Sequence, residues 1–305
     1  MGCGIACCSL LAGNKTVLVN RNLARAMKGV PRVRSNLEEL CSHGLCTKDN
    51  VERAMGLLSP CGELADACQQ AELAIETVYE DLEVKQDLFE RLDALLPPEI
   101  PILSNTSGLR ITDIGRKTKH PERTLTSHFF LPAHLMPLVE IVVGDYSSPE
   151  LAVRIKELFS GWGKAAVIVR KDLPGQLAGR IFQAVVREAV NIVEIGLASA
   201  EDVDAAVKMS WGLRLPVWGP LEHIDAVGLD ICTNVQRTVL PEISSSQVPI
   251  SLMESCLKEG NLGYKTGKGI YDWSVKDMKS LMRNRNEFIV YAIKKIREQQ
   301  PSFPK

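Results

Sequence analysis

This chain of 305 residues lacks several things. It has no apolar run long enough to cross a bilayer, which takes about 20 residues. It has no basic start with an apolar segment and cleavage site behind it, so no secretory signal is read. It has no excess of charge: 36 Lys and Arg stand against 37 Asp and Glu, a formal net charge of −1. Neither nucleic acid nor an anionic membrane gains an electrostatic reason to bind. Nine cysteines is an odd number. Cys3, Cys7 and Cys8 cluster, but no second Cys or His group follows at zinc spacing. No metal site is read. The thiols read as small helical packing groups, and a reducing cytoplasm as the expected compartment.

A further absence lies at the start. Gly2 to Leu11 reads as a helix, ended by Gly13-Asn14, and Lys15-Thr16-Val17-Leu18-Val19-Asn20 as a strand. These make the second half of a dinucleotide-binding βαβ unit. The first half, a β-branched strand and a Gly-x-Gly turn, is not there. In a doubly wound sheet that strand is central. Without it, two inner strands should lose a ladder partner, and the turn that approaches a pyrophosphate is missing. Two alternatives stay open: a start codon further upstream, or a truncated, inactive or repurposed relative.

What is present has ample substance. Hydrophobic residues make up 45% of the chain, enough for two domains with cores. Strand-like runs alternate with helical ones as far as Ala165-Ala166-Val167-Ile168-Val169. This predicts an α/β fold, a Rossmann-type, mostly parallel sheet, over residues 1–172. Beyond the junction Lys171-Asp172-Leu173-Pro174-Gly175 the pattern turns helical. It predicts an all-α domain over 173–273 and a basic helical extension over 274–305.

One stretch carries the chemistry. Ser104-Asn105-Thr106-Ser107 follows the strand-like Ile100-Pro101-Ile102-Leu103, at a carboxyl end where open α/β sheets bind ligands. His128 closes a second strand, before Phe129 and Phe130. Glu140 sits inside the apolar run Leu138 to Val143. A carboxylate there needs a partner, because an unpaired buried charge is costly. His128 is the candidate, and a carboxylate-oriented histidine is a general base. A core histidine and an edge glutamate are the plainer alternative.

The wording SNTSGL, SHFFLP and PLVEIV resembles the catalytic segment of the L-3-hydroxyacyl-CoA dehydrogenase family, including its gulonate and carnitine relatives. The resemblance runs over about residues 1 to 273 and implies hydride transfer at C3. It implies His128 and Glu140 as the catalytic pair, with Ser107 on substrate and cofactor. Gly2 stands where the family has the third glycine of its phosphate-binding motif. Glu80 and Lys85 match a segment beside the nicotinamide ribose, Asn105 joins Ser107, and Lys265 lies in a glycine-rich loop reaching the cofactor. A homodimer through the helical domain is also implied.

Two departures bear on substrate and cofactor. Asn20-Arg21 stands where NAD enzymes keep a ribose-binding acid, which leaves NAD and NADP both open. Gly179 stands where the family has an Asn that helps bind the substrate oxygen. The expected function is therefore that of a 3-hydroxyacyl-CoA dehydrogenase for short chains, with two alternatives left open by these departures: a dehydrogenase of a free 3-hydroxy acid, or a truncated non-catalytic crystallin-like relative.

Overall fold

The computed structural model describes residues 1–299. It opens on α1 (Gly2–Leu11), a helix with seven buried residues from Gly4 to Leu10. A helix apolar on nearly every side belongs inside a core. Ile5 packs into the cluster that includes Leu103, Leu125, Val139 and Phe159. Ala6, Cys7 and Leu10 pack into a second cluster with Val33, Leu37 and Val51. The thiols serve this packing. Cys7 Sγ donates to Cys3 O at 3.1 Å, and Cys8 Sγ to Ala133 O at 3.4 Å. Burial pushes the Cys7 thiol far up its titration range.

The chain then runs through β1 (Thr16–Val19), α2 (Leu23–Met27), α3 (Val30–Ser42), α4 (Lys48–Gly56), β2 (Leu58–Cys61) and α5 (Leu64–Cys68). Pro31 sits in the first turn of α3, where its missing N–H costs nothing. Thr47 and Asn50 form a capping box on α4. Next come β3 (Ala74–Glu76), α6 (Leu82–Leu95), β4 (Ile102–Ser104), α7 (Ile111–Ile114), β5 (Thr124–Phe129), β6 (Leu138–Val142), α8 (Pro149–Gly161) and β7 (Ala165–Val169). Asp81 caps α6 and Ser148 caps α8.

The strands form two sheets. One is the parallel pair β1-β2; the other has the order β3-β4-β5-β6-β7. Only β5 and β6 run antiparallel. Among the described residues no ladder joins the two sheets, and β1 pairs only with β2 and β3 only with β4. Helix α1 packs against the cores of both sheets.

The chain divides into two units, residues 1–179 and 180–299. The second is helical: α9 (Ala178–Glu194) enters it, followed by α10 (Ala200–Met209), α11 (Trp211–Arg214), α12 (Pro220–Val227), α13 (Leu229–Val239), α14 (Ser251–Lys258) and α15 (Met278–Gln299). The expected extension from residue 274 is therefore α15, described as far as residue 299, and it lies in the second unit. Few of the unit's apolar side chains are buried; Val190, Ile250, Val290 and Ile293 are among them.

A buried ion pair fixes the entry to β5. Arg123 Nη2 donates to Asp93 Oδ1 at 2.7 Å, and both side chains are 3% exposed. The same guanidinium bonds the carbonyls of Leu96, Pro97 and Ile100 beyond the end of α6. Arg123→Met leaves Asp93 buried without its cation. It is expected to cost about 3–5 kcal/mol of unfolding free energy in urea titrations.

Candidate active site

Two fully buried carboxylates organise the site. Glu76 ends β3 facing inward, with its side chain 0% exposed. Lys85 Nζ donates to its two oxygens at 2.8 and 3.0 Å. Ser104 Oγ donates to Oε2 at 2.7 Å, and the Val78 N–H to Oε1. Lys85 also lies 3.3 Å from Glu80 Oε2. Glu80 in turn gathers the serine loop onto one oxygen. Thr106 Oγ1 donates to its Oε1 at 2.5 Å, and the N–H groups of Ser107 and Gly108 at 3.0 Å each. Burial pushes the Glu80 carboxyl up, but the Thr106 hydroxyl, these N–H groups and the Lys85 charge outweigh it and hold it below the usual range.

Lys85, which the resemblance implies beside the nicotinamide ribose, lies against these two carboxylates. It is 1% exposed, hydrogen-bonded to both oxygens of Glu76 and paired with Glu80 at 3.3 Å. Through Glu80 it supports the loop that presents Ser107. The Ser107 side chain lies on an exposed residue of that loop.

The second carboxylate is Glu140 on β6. Strand register puts it directly opposite His128 on β5. Side chains of opposed residues share a face, so the pair meets: Glu140 Oε2 accepts from His128 Nδ1 at 2.9 Å. Glu140 Oε1 accepts from Leu177 N–H at 3.1 Å and Ala178 N–H at 2.6 Å. With Nδ1 protonated by this assignment, Nε2 of His128 is the ring's basic position. His128 is 9% exposed and packs on Phe130, ring centroids 4.6 Å apart. Asn105 ties the two strand ends together, its Oδ1 accepting from Phe129 N–H at 2.9 Å. Lys164 holds the β5–β6 connection, donating to Ala133 O at 2.7 Å and Met136 O at 2.9 Å.

The nucleotide-side candidates are more dispersed. Gly2 opens α1, whose N-terminus has no side-chain cap. A Cβ at Gly2 would sit 2.8 Å from Thr77 Oγ1, just past β3. Such an open helix N-terminus at strand ends suits a phosphate. Asn20 and Arg21 are exposed after β1, and Asn20 Oδ1 accepts from the Arg21 N–H at 2.8 Å. The residues present thus fit a dinucleotide at the helix end and the strand end. Lys265 lies in the second unit, on the turn Tyr264–Thr266 between the left-handed Gly263 and Gly267. Gly179 has open space where a side chain would stand.

The sequence reading gave no role to Glu76 or to the N–H groups of Leu177 and Ala178. Glu76 had a signal: an acid closing an apolar strand, with a lysine nine positions on. The N–H groups had none, since backbone donors carry no residue type.

Comparison with known proteins follows these features. The model of the 3-hydroxyacyl-CoA dehydrogenase NAD-binding domain matches residues 1–173, and that of its C-terminal domain residues 175–273. A probable 3-hydroxybutyryl-CoA dehydrogenase of Bacillus subtilis is 33% identical over 277 residues, 90% of this chain and 95% of that protein. The solved (S)-3-hydroxybutyryl-CoA dehydrogenase of Ralstonia eutropha superposes with a TM-score of 0.75 at 30% identity, covering 90% of this chain and 95% of that one. A solved 5-formyl-3-hydroxy-2-methylpyridine 4-carboxylic acid 5-dehydrogenase, described as an NAD+-dependent dismutase, reaches a TM-score of 0.89 at 28% identity, covering 98% and 95%.

The Glu140 carboxyl also sets a pH dependence. Burial pushes it up, but the His128 bond and the Ala178 and Leu177 N–H groups outweigh burial and hold it below its usual value. A carboxyl depressed in the folded state stabilises fully above its unfolded pKa, and the gain is lost as pH falls through the folded value. Glu140→Gln is expected to flatten the stability–pH curve below about pH 4.3. Chemical denaturation at stepped pH measures this; an unchanged acid limb contradicts it.

Proposed function

The chain belongs to the 3-hydroxyacyl-CoA dehydrogenase family, and on that premise we propose that it transfers hydride between C3 of a short 3-hydroxyacyl-CoA and NAD. The observation that carries the reading is the buried His128–Glu140 pair at 2.9 Å. His128 Nε2 takes the proton from the C3 hydroxyl as C3 gives up its hydride, and in reverse it protonates the forming alkoxide. Glu140 fixes the imidazole's orientation and stabilises its cation. Ser107, with Asn105 beside it, orients the reacting oxygen. The nicotinamide, when bound, supplies the hydride acceptor. The Gly2 end of α1 would hold the pyrophosphate, with Asn20 and Arg21 near the adenosine ribose and Glu80 and Lys265 as further candidate contacts. Arg21 beside Asn20 in place of an acid also supports NADP.

A second reading has its own support. The pyridine carboxylate dehydrogenase matches over 98% of this chain at a higher TM-score than the hydroxybutyryl-CoA enzyme. Gly179, with open space around it, leaves no side chain just after Leu177 and Ala178, whose N–H groups meet Glu140. Both features suit a free hydroxy acid with no CoA moiety. Exposed apolar side chains of the helical unit, including Phe182, Leu229, Ile231 and Val235, support a homodimer through that unit. A cytoplasmic location fits nine free cysteines.

His128→Gln is expected to lower turnover by about 10²- to 10⁴-fold with an unchanged melting curve. A fully active variant removes the base assignment. Assaying acetoacetyl-CoA and free 3-hydroxy acids with NADH and NADPH separates the substrate readings. Activity on the thioester alone excludes the second. Light scattering of the purified chain is expected to give twice the monomer mass of 33.6 kDa; a monomer at micromolar concentration contradicts the dimer.

A further inference from the structure

The strap from Asp172 to Ala178 is fastened to the site at three points. Asp172 Oδ2 accepts from the Thr112 N–H at 2.8 Å and hydroxyl at 2.6 Å, and Arg110 Nε donates to Asp172 O. Leu177 and Ala178 N–H meet Glu140. Between these anchors stands Gln176, whose side chain spans from the strap to the serine loop. Its Nε2 lies 3.4 Å from Thr106 O, a long hydrogen bond.

Two features of Gln176 are unfavourable in isolation. It has φ +48°, alone among the described non-glycine residues in taking a left-handed backbone. Such strain in a residue with a Cβ persists where surrounding contacts impose it, and it gathers at functional sites. Gln176 is also 5% exposed, and its Oε1 is buried without a hydrogen-bond partner. A half-satisfied buried amide is poorer for stability than an apolar side chain of similar shape. Stability alone would favour glycine for the backbone or methionine for the side chain.

Gly175, at φ +82°, and Gln176 are consecutive left-handed residues. The two N–H groups that follow, of Leu177 and Ala178, both meet one oxygen of the Glu140 carboxylate. The backbone of Gln176 thus serves Glu140 and its side chain serves the loop bearing Ser107. We propose that Gln176 is a positioning residue, its carboxamide setting the distance between the serine loop and the strap that holds the His128–Glu140 pair. This rests on the dehydrogenase reading above for its kinetic consequence and on geometry alone for its structural one.

Two variants separate these jobs. Gln176→Gly keeps the left-handed turn and the N–H groups on Glu140 but removes the tether. Gln176→Met fills the space without the amide. Both are expected to lose about 10- to 100-fold in kcat with little change in KM, the scale of a displaced catalytic group. The Met variant should keep or raise the wild-type Tm, since it removes the orphaned oxygen. Wild-type kcat in the Gly variant overturns the proposal. So does a Met variant whose activity falls only in step with its Tm, or a change confined to KM. If the wild-type chain turns over neither acetoacetyl-CoA nor free hydroxy acids, the dehydrogenase reading fails and amide exchange decides the positioning role. Faster exchange at Ser107 and Gly108 in both variants supports it, and unchanged exchange overturns it.

Discussion

The Glu140 carboxylate is the constraint on which the site depends. It is wholly buried, so every lone pair it presents must be answered from within the protein. One oxygen is answered by His128 and the other by two backbone N–H groups of the strap. Each answer fixes something else. The imidazole is held in one orientation with Nε2 as its basic atom, and the segment entering α9 is drawn to the end of β6. Charge burial, usually a liability, becomes a means of setting geometry.

Glu76 repeats the device on β3, at the edge of the same sheet. It is as deeply buried and receives donors from Lys85, Ser104 and the Val78 backbone. Lys85 passes the constraint on to Glu80, and Glu80 to the N–H groups of Ser107 and Gly108. The serine loop is thus held from below through two carboxylates and a lysine. The strap touches the same loop through Gln176. Asn105 joins it to the strand carrying His128. The residues that would meet substrate are few, and most of the hydrogen bonding around them serves their placement.

The interrupted sheet shows what packing can do where ladder pairing stops. Strands β1 and β3 each keep an unpaired edge, yet α1 contributes Ile5 to one core and Ala6, Cys7 and Leu10 to the other. Side-chain burial against a shared helix joins the two sheets without backbone bonds between them. The same helix brings Gly2 close against Thr77, where a Cβ would sit 2.8 Å from Oγ1.

The alternation of strands and helices was legible in the residues, from hydrophobic period and glycine placement. The cost of a lone buried charge made His128 a candidate partner for Glu140 but left a core histidine and an edge glutamate equally open, and only the family resemblance implied the pair. The burial of Lys85 was not legible. A lysine in the first turn of a helix normally faces water, and only the position of Glu76, nine residues earlier and on another element, draws it inward. The left-handed backbone of Gln176 and the N–H groups aimed at Glu140 were equally hidden, because backbone direction leaves no mark in residue type. The sequence by itself determined which groups carry charge and which runs must be buried. The tertiary structure decided which charges meet, because a buried carboxylate takes its donors from whatever the fold brings within about 3 Å.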